Sequence, residues 1–223
     1  MKKAIVLSSG GIDSTTAMAI AKAENYELYS LTLDYGQRHK IEIESAKKAA
    51  DFFCVKEHKI IVVGLGQIGG SALTDNIDIP TDNPLEEIPV TYVPARNTIF
   101  LSIALAWAEV VGANDIFIGA NIVDYSGYPD CRSEYLEAFE KMANLGTKAG
   151  IKGGKIKIHA PLVKMSKSEI VKKGSELGID YSITWSCYNP RASGKACGKC
   201  DSCKFRLKGF REAGYKDPIQ YST

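Results

Sequence analysis

The chain has 223 residues, 45% of them apolar and 24% charged, enough for one well-packed core and a small appendage. A formal net charge of +2 excludes a surface built for wholesale nucleic-acid binding, and no apolar run reaches membrane-spanning length. Met1-Lys2-Lys3 leads directly into an apolar segment without a secretory pattern, so a cytoplasmic protein is expected, and its six cysteines read as metal ligands rather than disulfides.

The first element is the apolar run 4–7 (AIVL), a buried strand. It breaks at Ser8-Ser9-Gly10-Gly11-Ile12-Asp13-Ser14, and a helical pattern follows at once. A strand, a glycine turn and a helix N-terminus in succession aim backbone N–H groups and the helix dipole at one point. Ser8, Ser9 and Ser14 add hydroxyl donors, so this loop is expected to hold phosphate. No lysine follows the glycines, which excludes a Walker loop, and the G-x-G-x-x-G dinucleotide fingerprint is absent.

Further strands are expected over 27–33, 59–63, 115–119 and 155–159. Helices are expected over 40–53, 97–111, 133–145 and 166–178. Asn97 is placed to cap the third of these helices, counting the one after the glycine loop, and Ser166-Lys167-Ser168-Glu169 has the capping-box form. Strands alternating with helices predict an α/β fold: a doubly wound, five-stranded parallel sheet with helices on both faces. The whole chain, 1–223, reads as a single domain with a small metal-binding region over about 184–223, where the metal is expected to pin a C-terminal tail too polar to pack by itself. In such sheets the ligand lies beyond the carboxyl ends of the strands, which gathers 8–14, 34–39 and 119–132 into one crevice. The proline-rich stretch 64–94 reads as a functional lid or binding loop.

Within the crevice, Arg38 is placed to offset phosphate charge and His39 to cap the next helix. Arg96, beside a helix N-terminus, suits a phosphate or a carboxylate through its planar fork. The loop 119–132 carries aspartates and tyrosines on a Gly/Pro-shaped frame. Asp124 or Asp130 can read the N–H and amino edge of a guanine-like base, with Tyr125 or Tyr128 as the stacking face. Cys187, Cys197, Cys200 and Cys203 have the spacing of a closed tetrahedral Zn²⁺ site, one per chain, which is structural because no coordination position stays open. An iron–sulfur cluster is the rival, but the Cys-Pro ending is missing. Cys54 reads as core. Cys131 is either reactive or merely small and buried.

The run S-G-G-I-D-S after the first strand resembles the loop of the PP-loop ATP pyrophosphatase superfamily. Together with D-Y-G-Q-R-H, V-P-A-R-N, D-Y-S-G-Y-P-D-C-R and the four-cysteine pattern, it is similar to the QueC family of 7-cyano-7-deazaguanine synthases over essentially the whole chain. That resemblance implies ATP binding by Leu7, Ser8, Ser9, Gly10, Gly11, Ile12, Asp13, Ser14, Thr15, Thr16, Ala17 and Arg38. Asp13 would organise Mg²⁺, and Arg96 would join it in catalysis. It implies conversion of 7-carboxy-7-deazaguanine, ammonia and ATP into the nitrile, on the route to queuosine and archaeosine, by a zinc-containing homodimer with no nucleic-acid or membrane partner. Two other readings stand beside it. One is a tRNA-thiolating PP-loop enzyme using Cys131. The other is a non-catalytic nucleotide or zinc module that uses Cys187–Cys203 and the basic cluster Lys195, Lys199, Lys204, Arg206, Lys208 and Arg211 as an interaction site.

Overall fold

β1 (Lys3–Leu7) is buried on both faces, because Ala4 and Val6 project into one core and Ile5 and Leu7 into the other. The computed structural model describes residues 1–78, 88–123 and 128–222. After β1 come α1 (Ile12–Ala23), β2 (Glu27–Asp34), α2 (Ile41–Phe52), β3 (Glu57–Val62), α3 (Arg96–Val111), β4 (Asp115–Phe117), α4 (Ser133–Gly146), α5 (Lys148–Ile151), β5 (Lys157–His159), α6 (Lys167–Glu176) and α7 (Asp201–Ala213). The sheet is parallel throughout, in the order β3-β2-β1-β4-β5, with Ile5 opposite Tyr29 on one side and Ile116 on the other. The chain winds outward from β1 to β3, then crosses back to β4. The winding therefore reverses between β1 and β4, and there the carboxyl ends diverge into a crevice.

One core joins Ile5, Leu7 and Leu31 to Leu101 of α3 and Phe139 of α4. The other joins Val6 and Phe117 to Met18 of α1, Ile170 of α6 and Phe210 of α7. The capping box at Ser166 is present: its hydroxyl accepts from the Glu169 N–H, and its own N–H donates to Glu169 Oε2 at 2.7 Å. None of the helices among the described residues is long and apolar enough to cross a membrane.

Three expectations need correction. Asn97 does not cap α3: Ala95 stands there with φ 53°, and Asn97 lies inside the first turn. Its N–H donates to Asp130 Oδ2 at 3.0 Å, so a carboxylate from a distant loop does the capping. Cys54 is exposed in the turn after α2, and Phe53 takes the buried place beside it. The segment over 201–213 is a helix that enters the core rather than a polar tail. Its buried stripe runs through Cys203, Arg206 and Phe210, and Arg206 is fully buried where a helical pattern would ordinarily place an apolar residue. Asp217 satisfies that guanidinium bidentately at 2.9 and 3.0 Å, and Thr184 Oγ1 accepts a third bond at 2.8 Å.

Candidate active site at the sheet switch point

The loop between β1 and α1 is clamped by close backbone approach from both sides. At Gly10 (φ 74°) an added Cβ would lie 2.5 Å from both the Ala46 nitrogen and the Glu42 carbonyl oxygen of α2. At Gly119, just past β4, a Cβ would lie 2.7 Å from the Ser14 nitrogen. Only glycine fits either place. Gly11 precedes α1 with no side-chain cap, so the first-turn amides are left facing the crevice. Ser9 and Ser14 hydroxyls lie 3.1 Å apart beside them. Ser8 lines the cavity, and its buried hydroxyl has no hydrogen-bond partner among the described residues.

Two cations flank this cradle. Lys167, at the start of α6, reaches both oxygens of Asp13 at 2.7 and 2.8 Å. It is almost fully buried, and Gly209 of α7 makes room for it: a Cβ there would come 2.4 Å from Lys167 Cγ. Arg96 opens α3 with its guanidinium 5.8 Å from the Tyr35 ring centroid. Burial opposes its charge, but the phenols of Tyr35, Tyr128 and Tyr188 and the Asp130 carboxylate outweigh that and hold its proton more firmly than usual. A cavity of about 230 Å³ lies between these groups, with Tyr35, Phe100, Tyr128, Trp185 and Tyr188 as its aromatic wall.

The environment sorts the remaining titratable groups. Burial pushes Glu42 up to about 7, against the pull of Arg96. Burial, followed by the charge of Asp130, pushes the Cys131 thiol up to about 11, and its sulfur accepts from the Asn97 side-chain amide at 3.3 Å. A thiol held this firmly is a poor nucleophile at neutral pH.

Behind the aromatic wall, the sulfurs of Cys187, Cys197, Cys200 and Cys203 all lie within 4.8 Å of one another and are buried. Backbone N–H groups of Cys197 and Cys200 donate to Cys187 Sγ and Cys197 Sγ at 3.2 and 3.3 Å. Such donors stabilise thiolates, and four soft sulfurs at this separation fit one tetrahedral zinc ion. Trp185 ties the cluster to the loop. Its N–H donates to the Gly10 carbonyl at 2.8 Å, and its indole N–H to the Cys187 carbonyl at 3.1 Å.

The structure brings Leu7, Ser8, Ser9, Gly11, Ile12, Asp13, Ser14, Arg96 and Tyr128 to the cavity wall. Other expected residues lie elsewhere. Gly10 faces α2, and Thr15, Thr16 and Ala17 are wholly buried beneath the site, with the Thr16 hydroxyl bonded to the Ile12 carbonyl and to Tyr181. Arg38 is exposed and donates to the Ile77 carbonyl at 3.1 Å, outside the main cavity. His39 does not cap α2, which starts from Lys40 without a side-chain cap. Asp130 is committed to α3 and does not line the cavity. Asp124 and Tyr125 lie outside the described residues. Sequence reasoning missed Lys167, Glu42, Trp185 and Tyr188. Lys167 was legible by the strand-end rule, since it follows β5 just as the glycine loop follows β1.

A family model described as queuosine biosynthesis protein QueC matches residues 3–214. The chain belongs to the QueC family. A protein of Geobacter metallireducens named 7-cyano-7-deazaguanine synthase is 58% identical over 223 residues, covering 100% of this chain and 94% of that protein. One of Stutzerimonas stutzeri with the same name is 59% identical over 221 residues, covering 99% and 98%. Among solved structures, a 4-thiouridine synthetase–RNA complex with bound ATP aligns with a TM-score of 0.52 at 23% identity, over 82% of this chain and 42% of that one. The NMN synthetase of Francisella tularensis aligns at 0.51 and 16% identity, over 96% and 78%. At these identities the likeness is one of fold, the doubly wound parallel sheet. The QueC match runs from β1 through α7, so it takes in the glycine loop, both flanking cations and the four cysteines.

Proposed function

We propose that this QueC-family chain is a 7-cyano-7-deazaguanine synthase. It would convert 7-carboxy-7-deazaguanine, ammonia and ATP into the nitrile, the precursor of queuosine-type bases. The observation that carries this is the facing of an uncapped helix N-terminus, with its unpartnered Ser8 hydroxyl, by the buried Lys167, the half-buried Arg96 and an aromatic wall. Relatives of nearly 60% identity over the whole chain bear that name.

A carboxylate is a poor electrophile until its oxygen becomes a leaving group. The α1 amides and Ser8, Ser9 and Ser14 hold the departing pyrophosphate, and Lys167 offsets its charge. Mg²⁺ arriving with ATP would be held by Asp13 and phosphate oxygens and would neutralise further charge there. Arg96 holds the substrate carboxylate or the α-phosphate during adenylation. Ammonia displaces AMP to give the amide, and a second adenylation on the amide oxygen permits loss of AMP to the nitrile. One pose must therefore serve acid and amide, and the aromatic wall supplies it by stacking the deazapurine. With Asp130 spent on α3, Asp124 is the base-reading carboxylate in this proposal. Zinc in the four-cysteine cluster of the region 184–223 is structural, within a single-domain chain that works as a cytoplasmic homodimer.

Incubating the purified protein with the carboxy compound, ATP–Mg²⁺ and an ammonium salt should yield first amide, then nitrile, with AMP and pyrophosphate. Absence of both products with the metal intact overturns the reading. A thiolating enzyme is disfavoured by the buried, protonated Cys131, and Cys131→Ser should keep turnover.

A further inference from the structure

A side pocket of about 10 Å³ adjoins the main cavity and shares Tyr35, Gln37, Glu42, Leu73 and Tyr188 with it. That is room for one water-sized molecule. His39 and Cys187 line the side pocket and not the main cavity. Arg38 borders it too, but spends its guanidinium on the Ile77 carbonyl. Glu42, in the first turn of α2, has no hydrogen-bond partner for its carboxylate among the described residues. The residue is half-buried and lines both cavities, so a carboxylate without a donor there leaves a place for one at the cavity wall. The ligand it calls for is small enough for the pocket and rich in N–H donors.

We propose that the side pocket captures ammonium, and that Glu42 binds the ion, takes its proton and releases ammonia into the main cavity. This rests on the synthase reading above. An N–H bond of ammonium breaks, the electron pair stays on nitrogen, and the proton moves to a Glu42 carboxylate oxygen. The freed pair attacks the carbonyl carbon of the acyl adenylate, the C–O bond to AMP breaks with its electrons, and the second nitrogen proton leaves with solvent. Glu42 then returns its own proton to water. The chain's other charges favour this order of events. Arg96 stands beside Glu42 and penalises a second cation, so nitrogen goes forward neutral. Burial brings the Glu42 carboxyl near neutrality, so it binds and releases a proton readily at working pH.

The test compares ammonium with hydroxylamine, a nucleophile that is uncharged at neutral pH and needs no such deprotonation. In Glu42→Gln, kcat/KM for ammonium should fall by about tenfold or more, the worth of a hydrogen bond to a charged group. KM for ATP and hydroxamate formation from hydroxylamine should stay within about twofold of wild type, a precision corresponding to only a few tenths of a kcal/mol. His39→Trp, which narrows the side pocket from a residue outside the main cavity and keeps the carboxylate, should show the same selective loss. Equal losses with both nucleophiles, or no loss with either, overturns the proposal. A wild-type protein that releases pyrophosphate with the carboxy compound but makes no amide at any ammonium concentration fails the synthase reading itself, a result distinct from either variant's behaviour.

Discussion

At the level of single residues, Lys167 is the group on which the proposed phosphate cradle depends, and its immediate sequence does not announce that role. It sits inside a capping box, where its neighbours Ser166 and Glu169 explain the local sequence completely. Its own role emerges only when the sheet sets β5 one strand beyond β1, across β4, and its ammonium meets Asp13. Lys167→Met should lower kcat for pyrophosphate release by about 10²–10³-fold, the usual cost of removing one preorganised charge-stabilising group. Product analysis beside a melting curve separates this from unfolding. Glu42 gives a stability counterpart. Its carboxyl is raised in the fold from 4.5 to about 7, so the folded state binds protons more tightly than the unfolded chain. The stabilisation is fully present below pH about 4.5 and is lost as pH rises through about 7. Denaturant midpoints measured across that window should therefore slope less in Glu42→Gln than in wild type. The reverse, a steeper slope, would refute the sign.

The elements divide into those whose composition announces them and those that need their neighbours. β1, β2, α3 and α6 were readable because apolar periodicity or a cap specifies each alone. α7 was not, since its buried stripe contains Arg206, which is tolerable only because Asp217 and Thr184 fold back to meet it. Asn97 looked like a cap by residue type, yet the carboxylate that performs the task arrives from a loop 33 residues away. The four cysteines were legible by spacing, but their link to the loop through Trp185 was not. That link predicts that chelation acts at a distance. Removing the metal should free the segment carrying Trp185 and Tyr188, which forms one wall of the cavity. If the wall is then in place a tenth of the time, ATP binds about tenfold more weakly. Calorimetric titration of ATP into chelated and zinc-reconstituted protein measures this. Equal affinities in the two forms would confine the cluster to holding the C-terminal segment.

For the molecule as a whole, the sheet's reversal between β1 and β4 does two things with one glycine. The winding order brings the ends of both strands to the same crevice, and Gly119 lets the end of β4 lie directly on the first turn of α1. That contact joins the half of the sheet that carries the loop and α2 to the half that carries Lys167 at the end of β5. An added methyl group would sit 2.7 Å from the Ser14 nitrogen and 2.8 Å from the Asp13 carbonyl carbon. Both are backbone atoms in a buried turn, so no side chain can swing aside. Gly119→Ala must instead separate the two halves by several tenths of an ångström, at a cost of about 1–3 kcal/mol for overpacking. The same displacement moves the α1 amides relative to Lys167, and the proposed phosphate binding depends on both acting at one point. The variant should therefore lose ATP affinity as well as stability. Gly112→Ala, where nothing lies within 4 Å of an added Cβ, supplies the control. It should cost about 1 kcal/mol through its positive φ alone and leave ATP affinity unchanged. Matched losses of affinity in the two variants would show that the cradle does not depend on the closeness of β4 to α1.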